Sequence, residues 1–144
     1  MTGAHLLLAV APWALAAQQG PRPAGTIAVG QTIHGTLRRS DVVSRDKSYV
    51  QQWEVAADPG AVVTIDLASD RFDAYLIVYG PGMAHDVQDD DSGGNCNARI
   101  TVRFPQSGVY HIAVTSTEQL QVGPFTLSVA GGSKPKALTR CRHH

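Results

Sequence analysis

From Tyr49 onward the chain alternates apolar and polar positions with a period of two, and no helical period is superimposed on it. Tyr49, Gln51, Trp53 and Val55 share one side of an extended segment, with Val50, Gln52 and Glu54 on the other. Val63, Ile65 and Leu67 stand in the same way against Val62, Thr64 and Asp66. Further runs follow at Ile100-Val102-Phe104, Tyr110-Ile112-Val114 and Phe125-Leu127-Val129, and each is bounded by turn residues such as Asp58-Pro-Gly, Gln106-Ser-Gly and Val122-Gly-Pro. Such half-buried segments are antiparallel strands. With Ile27 to Leu37 counted as the first, the pattern predicts seven to eight short strands. An all-β fold follows: an antiparallel β-sandwich of two packed sheets with Greek-key or jelly-roll connections. Ala74 to Tyr79 breaks the rule by being apolar on both sides. That suits a central strand covered on both faces, or a face used for contact.

The first residues do not alternate. Leu6 to Ala17 is an apolar run, too short for a membrane-spanning helix of roughly 20 residues, and Ala14-Leu15-Ala16 has the small-x-small form of a signal peptidase site. Residues 1–17 therefore read as an export signal, although no Lys or Arg precedes the apolar run, and 18–25 as a Gln/Gly/Pro linker. The strands occupy 26–130, and 131–144 is a basic tail. The destination is secreted or periplasmic, with no membrane span in the mature form. In an oxidising compartment Cys96 and Cys141, the two cysteines of the chain, are expected to form one disulfide joining loop to tail. The alternative, a metal held by Cys96, Cys141, His143 and His144, matches no zinc spacing.

At 144 residues the chain holds one domain with one core, and no separate enzyme beside it. Twelve basic and twelve acidic residues cancel, so no overall field draws in nucleic acid. The charges are nevertheless segregated. Seven acidic residues and one basic residue, Arg71, lie between Asp66 and Asp91, while Lys134, Lys136, Arg140 and Arg142 cluster at the end.

Ser69-Asp-Arg-Phe-Asp-Ala-Tyr-Leu-Ile-Val-Tyr-Gly-Pro-Gly, then Asp89-Asp-Asp-Ser-Gly-Gly, then Asn97-Ala-Arg-Ile-Thr-Val-Arg-Phe-Pro and Ser107-Gly-Val-Tyr-His-Ile-Ala-Val, taken in that order, resemble the bacterial pre-peptidase C-terminal domain. The resemblance runs from about Gly30 to Val129. It implies a secreted β-sandwich of the kind appended to extracellular proteases, where it assists export, folding or attachment to substrate. It also raises the prospect of calcium, which related collagen-binding modules bind. Here the domain stands directly behind the export signal, which favours a free-standing binding module.

The candidate sites follow from side-chain chemistry. Asp89, Asp90 and Asp91 beside Gly93, Gly94 and Asn95 offer hard oxygen donors in a pliable loop, a calcium-like set to which Asp70 and Asp73 could add if the fold brings them near. A six-residue strand of roughly 20 Å separates Asp73 from the loop along the chain. No EF-hand spacing is present. Tyr75 and Tyr79, with Phe72 just before them, form a candidate aromatic platform for a sugar or a peptide. Asp91-Ser92-Gly93 spells the aspartic-protease triplet, but it has acids ahead of it and no second copy. No Gly-x-Ser-x-Gly, phosphate loop or dinucleotide fingerprint occurs. His111 falls on the solvent side of its strand, and His34 and His85 are scattered. The expected function is thus a secreted, non-catalytic accessory or binding module, with calcium as a candidate cofactor. Its partner would be an extracellular protein, a polysaccharide or a secreted protease. The competing readings are an inhibitor or chaperone of a separate protease, or an uncharacterised hydrolase.

Overall fold

In the computed structural model, which describes residues 22–142, the alternating segments become ten strands, and no helix occurs among the described residues. These are β1 (Gly25–Thr26), β2 (Thr32–Leu37), β3 (Val42–Val43), β4 (Tyr49–Ala57), β5 (Val62–Ala68), β6 (Ala74–Tyr79), β7 (Val87–Asp89), β8 (Ala98–Arg103), β9 (Gly108–Ser116) and β10 (Gly123–Gly131). The export segment and most of the linker lie outside the described residues.

Two sheets form. The six-stranded sheet runs β1-β4-β9-β6-β7, with β3 also paired to β4, and the four-stranded sheet runs β2-β10-β5-β8. All pairings are antiparallel except β1 with β4. Only β3–β4 and β6–β7 are neighbours both in sequence and in one sheet, and every other connection crosses between sheets. This is the sandwich that the alternation predicts.

The core lies between the sheets. Val55, Leu76 and Ile112 meet Leu37, Ile65 and Leu127, all with no exposure, which is what one apolar side per strand requires. Tyr110 is buried as fully, its ring 4.2 Å from that of Phe104. Its hydroxyl lies 2.8 Å from the carbonyl of Pro81 and 2.7 Å from that of Gln106, so the one polar atom of the plug is satisfied by backbone. Gly80 makes room for this ring, since a Cβ there would fall 2.4 Å from it.

The structure corrects two expectations. Ile27 to Leu37 is not one strand. Gly30, at φ 93°, turns the chain after β1, and the Gln31 N–H closes the turn on the Ala28 carbonyl at 3.0 Å. Val87-Gln-Asp, of which the sequence pattern places Asp89 alone in the acidic loop, is the edge strand β7, which folds back on β6 with Leu76 opposite Asp89. Three residues are too few to display alternation. With β1 and β3, of two residues each, this raises the count from the seven to eight expected to ten.

Candidate functional site: the two outer faces of the sandwich

Because alternate residues of each strand point away from the core, each sheet has an outer face. On the six-stranded sheet the register aligns that face in rows. Tyr75 lies opposite Thr115; Gln52, Ala113, Ile77 and Gln88 stand side by side; Glu54, His111 and Tyr79 form the next row. Tyr75, Ile77 and Tyr79 are half-buried, whereas Ala74, Leu76 and Val78 between them have no exposure. The apolar character of β6 on both sides thus has two causes: one side is core, and the other is an aromatic surface near the middle of the sheet.

Side chains on this face hold one another in place. The Tyr75 hydroxyl donates to Gln88 Oε1. Tyr79 stacks on His111, with ring centroids 5.1 Å apart and planes 24° from parallel, and Gln52 Nε2 donates to His111 Nδ1 at 2.7 Å. Beside Tyr75 opens a cleft of about 400 Å³, lined by Ser44, Asp46, Ser48, Gln88 and Thr115, with Val50 and Ile77 supplying aliphatic surface. Burial, followed by the carboxylates of Asp90, Asp46 and Asp89, holds the Tyr75 phenol above its ordinary value. Burial and then Asp86 do the same for Tyr79. Phe72 does not belong to this surface. It is buried, and its ring meets Phe125 edge-on at 6.5 Å within the core.

The acidic loop lies closer to Asp73 than the length of β6 suggests, because the β6–β7 hairpin returns the chain to the start of β6, where the Ala74 N–H donates to the Cys96 carbonyl at 3.1 Å. Proximity does not gather the carboxylates. Asp89 Oδ2 accepts the backbone N–H groups of Ser92 (2.9 Å) and Arg99 (3.0 Å), and Oδ1 accepts the Ser92 hydroxyl at 2.5 Å. Its oxygens therefore shape the turn. Asp70, Asp91 and Asn95 are exposed, and Asn95 takes the left-handed conformation, φ 53°, that suits asparagine. Among the described residues, the one group of three potential ligand atoms within 4.8 Å is that of Asp73, Cys96 and Cys141. The two sulfurs of that group are joined in the expected disulfide. The carboxylates of Asp70, Asp73, Asp89, Asp90 and Asp91 form no group of three or more within 4.8 Å of one another among the described residues.

On the four-stranded sheet the outer rows are Thr32, Ser128, Asp66, Arg99 and, beside them, His34, Thr126, Ala68. Part of this face is covered. The tail crosses it, with the Gly132 carbonyl 2.8 Å from the Thr64 hydroxyl and the Pro135 carbonyl 2.7 Å from Arg99 Nη1. Arg99 Nε pairs with Asp66 at 2.6 Å, and Lys134 approaches the same carboxylate at 3.9 Å. The Ala137 N–H donates to the Ser92 carbonyl at 2.9 Å, and the path ends at the Cys96–Cys141 disulfide. Sequence reasoning foresaw the disulfide but missed the Asp66–Arg99 pair, because the residues are 33 apart in the chain.

His111 stacks on Tyr79 and bonds Gln52, while Asp89 sits opposite Leu76, three residues back along β6. The structure does not bring them together as an acid–base pair.

No protein-family model matches the sequence, and no curated protein matches it either. Solved structures do match. The pre-peptidase C-terminal domain of a collagenase from Bacillus anthracis is similar at a TM-score of 0.55 and 14% identity, covering 77% of this chain and 99% of that one. PliG from Salmonella Typhimurium, a periplasmic lysozyme inhibitor of g-type lysozyme, is similar at 0.51 and 17%, covering 76% and 99%. PliG from Aeromonas hydrophila is similar at 0.50 and 16%, covering 75% and 96%. At these identities the likeness is one of fold. The sandwich implied by the sequence resemblance is the fold the chain has.

Proposed function

We propose that this chain is a non-catalytic module that works outside the cytoplasm and binds a protein partner on the outer face of its six-stranded sheet. The observation that carries the reading is the row of Tyr75, Ile77 and Tyr79 on β6, turned outward and backed by a rigid strand whose other side is core. Aromatic side chains on a stiff sheet give large contact area at little entropic cost, which is what protein recognition needs. The fold neighbours, the pre-peptidase C-terminal domain of a collagenase and periplasmic lysozyme inhibitors, agree with binding in place of catalysis. The disulfide agrees with an oxidising compartment.

The lysozyme inhibitors also suggest the first partner to try. The oxidised chain is immobilised and presented with g-type lysozyme, a secreted metallopeptidase and insoluble peptidoglycan, and the lysozyme and peptidase rates are followed in parallel. Binding to one of the two proteins is expected, with loss of about 2 kcal/mol or more when Tyr75 and Tyr79 are both changed to Ala, and little change for Thr126→Ala on the opposite face. Binding that ignores the tyrosines and follows Thr126 would overturn the assignment of the face. Retention on peptidoglycan alone would overturn the protein partner.

A further inference from the structure

The face that none of the described residues crosses carries a charge that the neutral total conceals. Its carboxylates come from separate segments: Asp46 from the turn between β3 and β4, Glu54 from β4 in line with His111 and Tyr79, Asp86 just ahead of β7, and Asp90 just after it. The cations beside this face are Arg45 and Lys47, on either side of Asp46, and Arg22, which shares a second cleft with Asp41, Val50 and Gln52. The chain's other clustered basic residues, Arg99, Arg103, Lys134, Lys136, Arg140 and Arg142, belong to β8 and to the tail, which lies along the four-stranded sheet.

The cleft beside Tyr75 repeats the bias at the scale of one side chain. Val50 and Ile77 give it an aliphatic wall, the Tyr75 ring an aromatic one, and Asp46, the Gln88 amide and the hydroxyls of Ser44, Ser48 and Thr115 an acceptor-rich rim. A long side chain with an apolar stem and a cationic head meets all three requirements: the stem lies on the valine and isoleucine, the head reaches the carboxylate, and the ring face attracts the charge. An anionic or purely apolar group meets only one.

We infer that the partner held on this face is cationic, and that it places a lysine or arginine side chain in the cleft between Tyr75 and Asp46. The inference rests on the reading that the face binds a protein, and it narrows that reading to basic surfaces. Complementary charge also speeds encounter, so association is expected to slow as salt is added.

The test titrates the oxidised, isotope-labelled chain with a short oligolysine peptide, with oligoglutamate and with chitohexaose, reading amide shifts and heats at low and moderate ionic strength. Oligolysine is expected to move the resonances of Val50, Tyr75, Ile77 and Thr115. The combined Asp46→Asn and Asp90→Asn variant should bind it about tenfold more weakly, and Tyr75→Ala about threefold more weakly. Asp58→Asn, in the turn after β4, should bind like the parent. Melting curves check that each variant is folded, and Tyr75→Phe, which keeps the ring, should retain affinity. Oligolysine binding that is indifferent to Asp46, Asp90 and Tyr75, or that maps to another face, overturns the inference. If a protein from the panel above binds through Tyr75 and Tyr79 with no salt dependence while oligolysine does not bind, the cationic partner is wrong and the face is right. If only chitohexaose moves these resonances, both fall.

Discussion

The two outer faces of this sandwich are built by the same alternation and finished in opposite ways. On the four-stranded sheet the outward residues are threonines, serines and an Asp66–Arg99 pair, surfaces that water already satisfies, yet a disulfide-anchored tail is laid across them. On the six-stranded sheet the outward residues of β6 are two tyrosines and an isoleucine, for which burial is favourable, and none of the described residues lies across them as the tail lies across the other face. Apolar surface left open while polar surface is strapped does not serve stability. The proposed contact on the open face would account for that contrast.

Removing the strap should produce the largest change. Cys96→Ser with Cys141→Ser opens a link spanning 45 residues and is expected to cost about 2–4 kcal/mol, read as a fall in Tm of about ten degrees. Amide exchange should accelerate at Thr64, Arg99 and Thr101 and stay unchanged at Ile77 and Ala113. Equal acceleration on both faces would erase the distinction.

Arg99→Met tests the anchor beneath the strap. The guanidinium serves Asp66 and the Pro135 carbonyl together, so its loss should cost about 1–2 kcal/mol in denaturant unfolding. Lys134→Ala, an exposed partner 3.9 Å from the same carboxylate, should cost about 0.3 kcal/mol or less.

The tyrosines supply a subtler probe of the open face. Tyr75 and Tyr79 are both raised above 10.0, first by burial and then by neighbouring carboxylates. The folded protein therefore holds these protons more tightly than the unfolded chain. Any stability from this source is fully present below pH 10 and lost as pH rises through the folded values. Ultraviolet titration should show Asp90→Asn lowering the Tyr75 transition, whereas Asp58→Asn leaves it in place.

Calcium is expected to have the smallest effect. Both Asp89 oxygens already accept hydrogen bonds, so millimolar calcium against chelator should move Tm by about a degree or less. A rise of several degrees, abolished by Asp89→Asn, would mean that the loop reorganises around the ion and that the edge of the open face is built by metal.

What the sequence disclosed, and what it withheld, follows the range of the interactions. Strands such as β4, β5 and β9 announce themselves because burial on one side imposes a period of two over seven to nine residues. The outward placement of Tyr75, Tyr79 and His111 follows from the same period. The β7 strand was hidden because three residues show no period and because its one acid, Asp89, reads as loop. The turn bonds of Asp89 to Ser92 are local and legible in the sequence, whereas its bond to the Arg99 N–H exists only once the hairpin returns. Phe72, grouped with the tyrosines by proximity in sequence, points the other way because it precedes the strand and joins Phe125 in the core.

The position of β10 has a consequence for the order of events. Of all the strands it is the last to leave the ribosome, yet it lies inside its sheet, bonded to β2 on one side and β5 on the other. The four-stranded sheet cannot be completed before its final member is made, since β2 joins the β5–β8 pair only through β10. Until then β2 has no partner in its sheet and β5, paired with β8 on one side, keeps its other edge open for a distant segment, the kind of non-local closure that makes folding slow and nascent chains prone to aggregate. A truncation before Gly123 would not trim this protein at its margin. It would split one of its two layers down the middle.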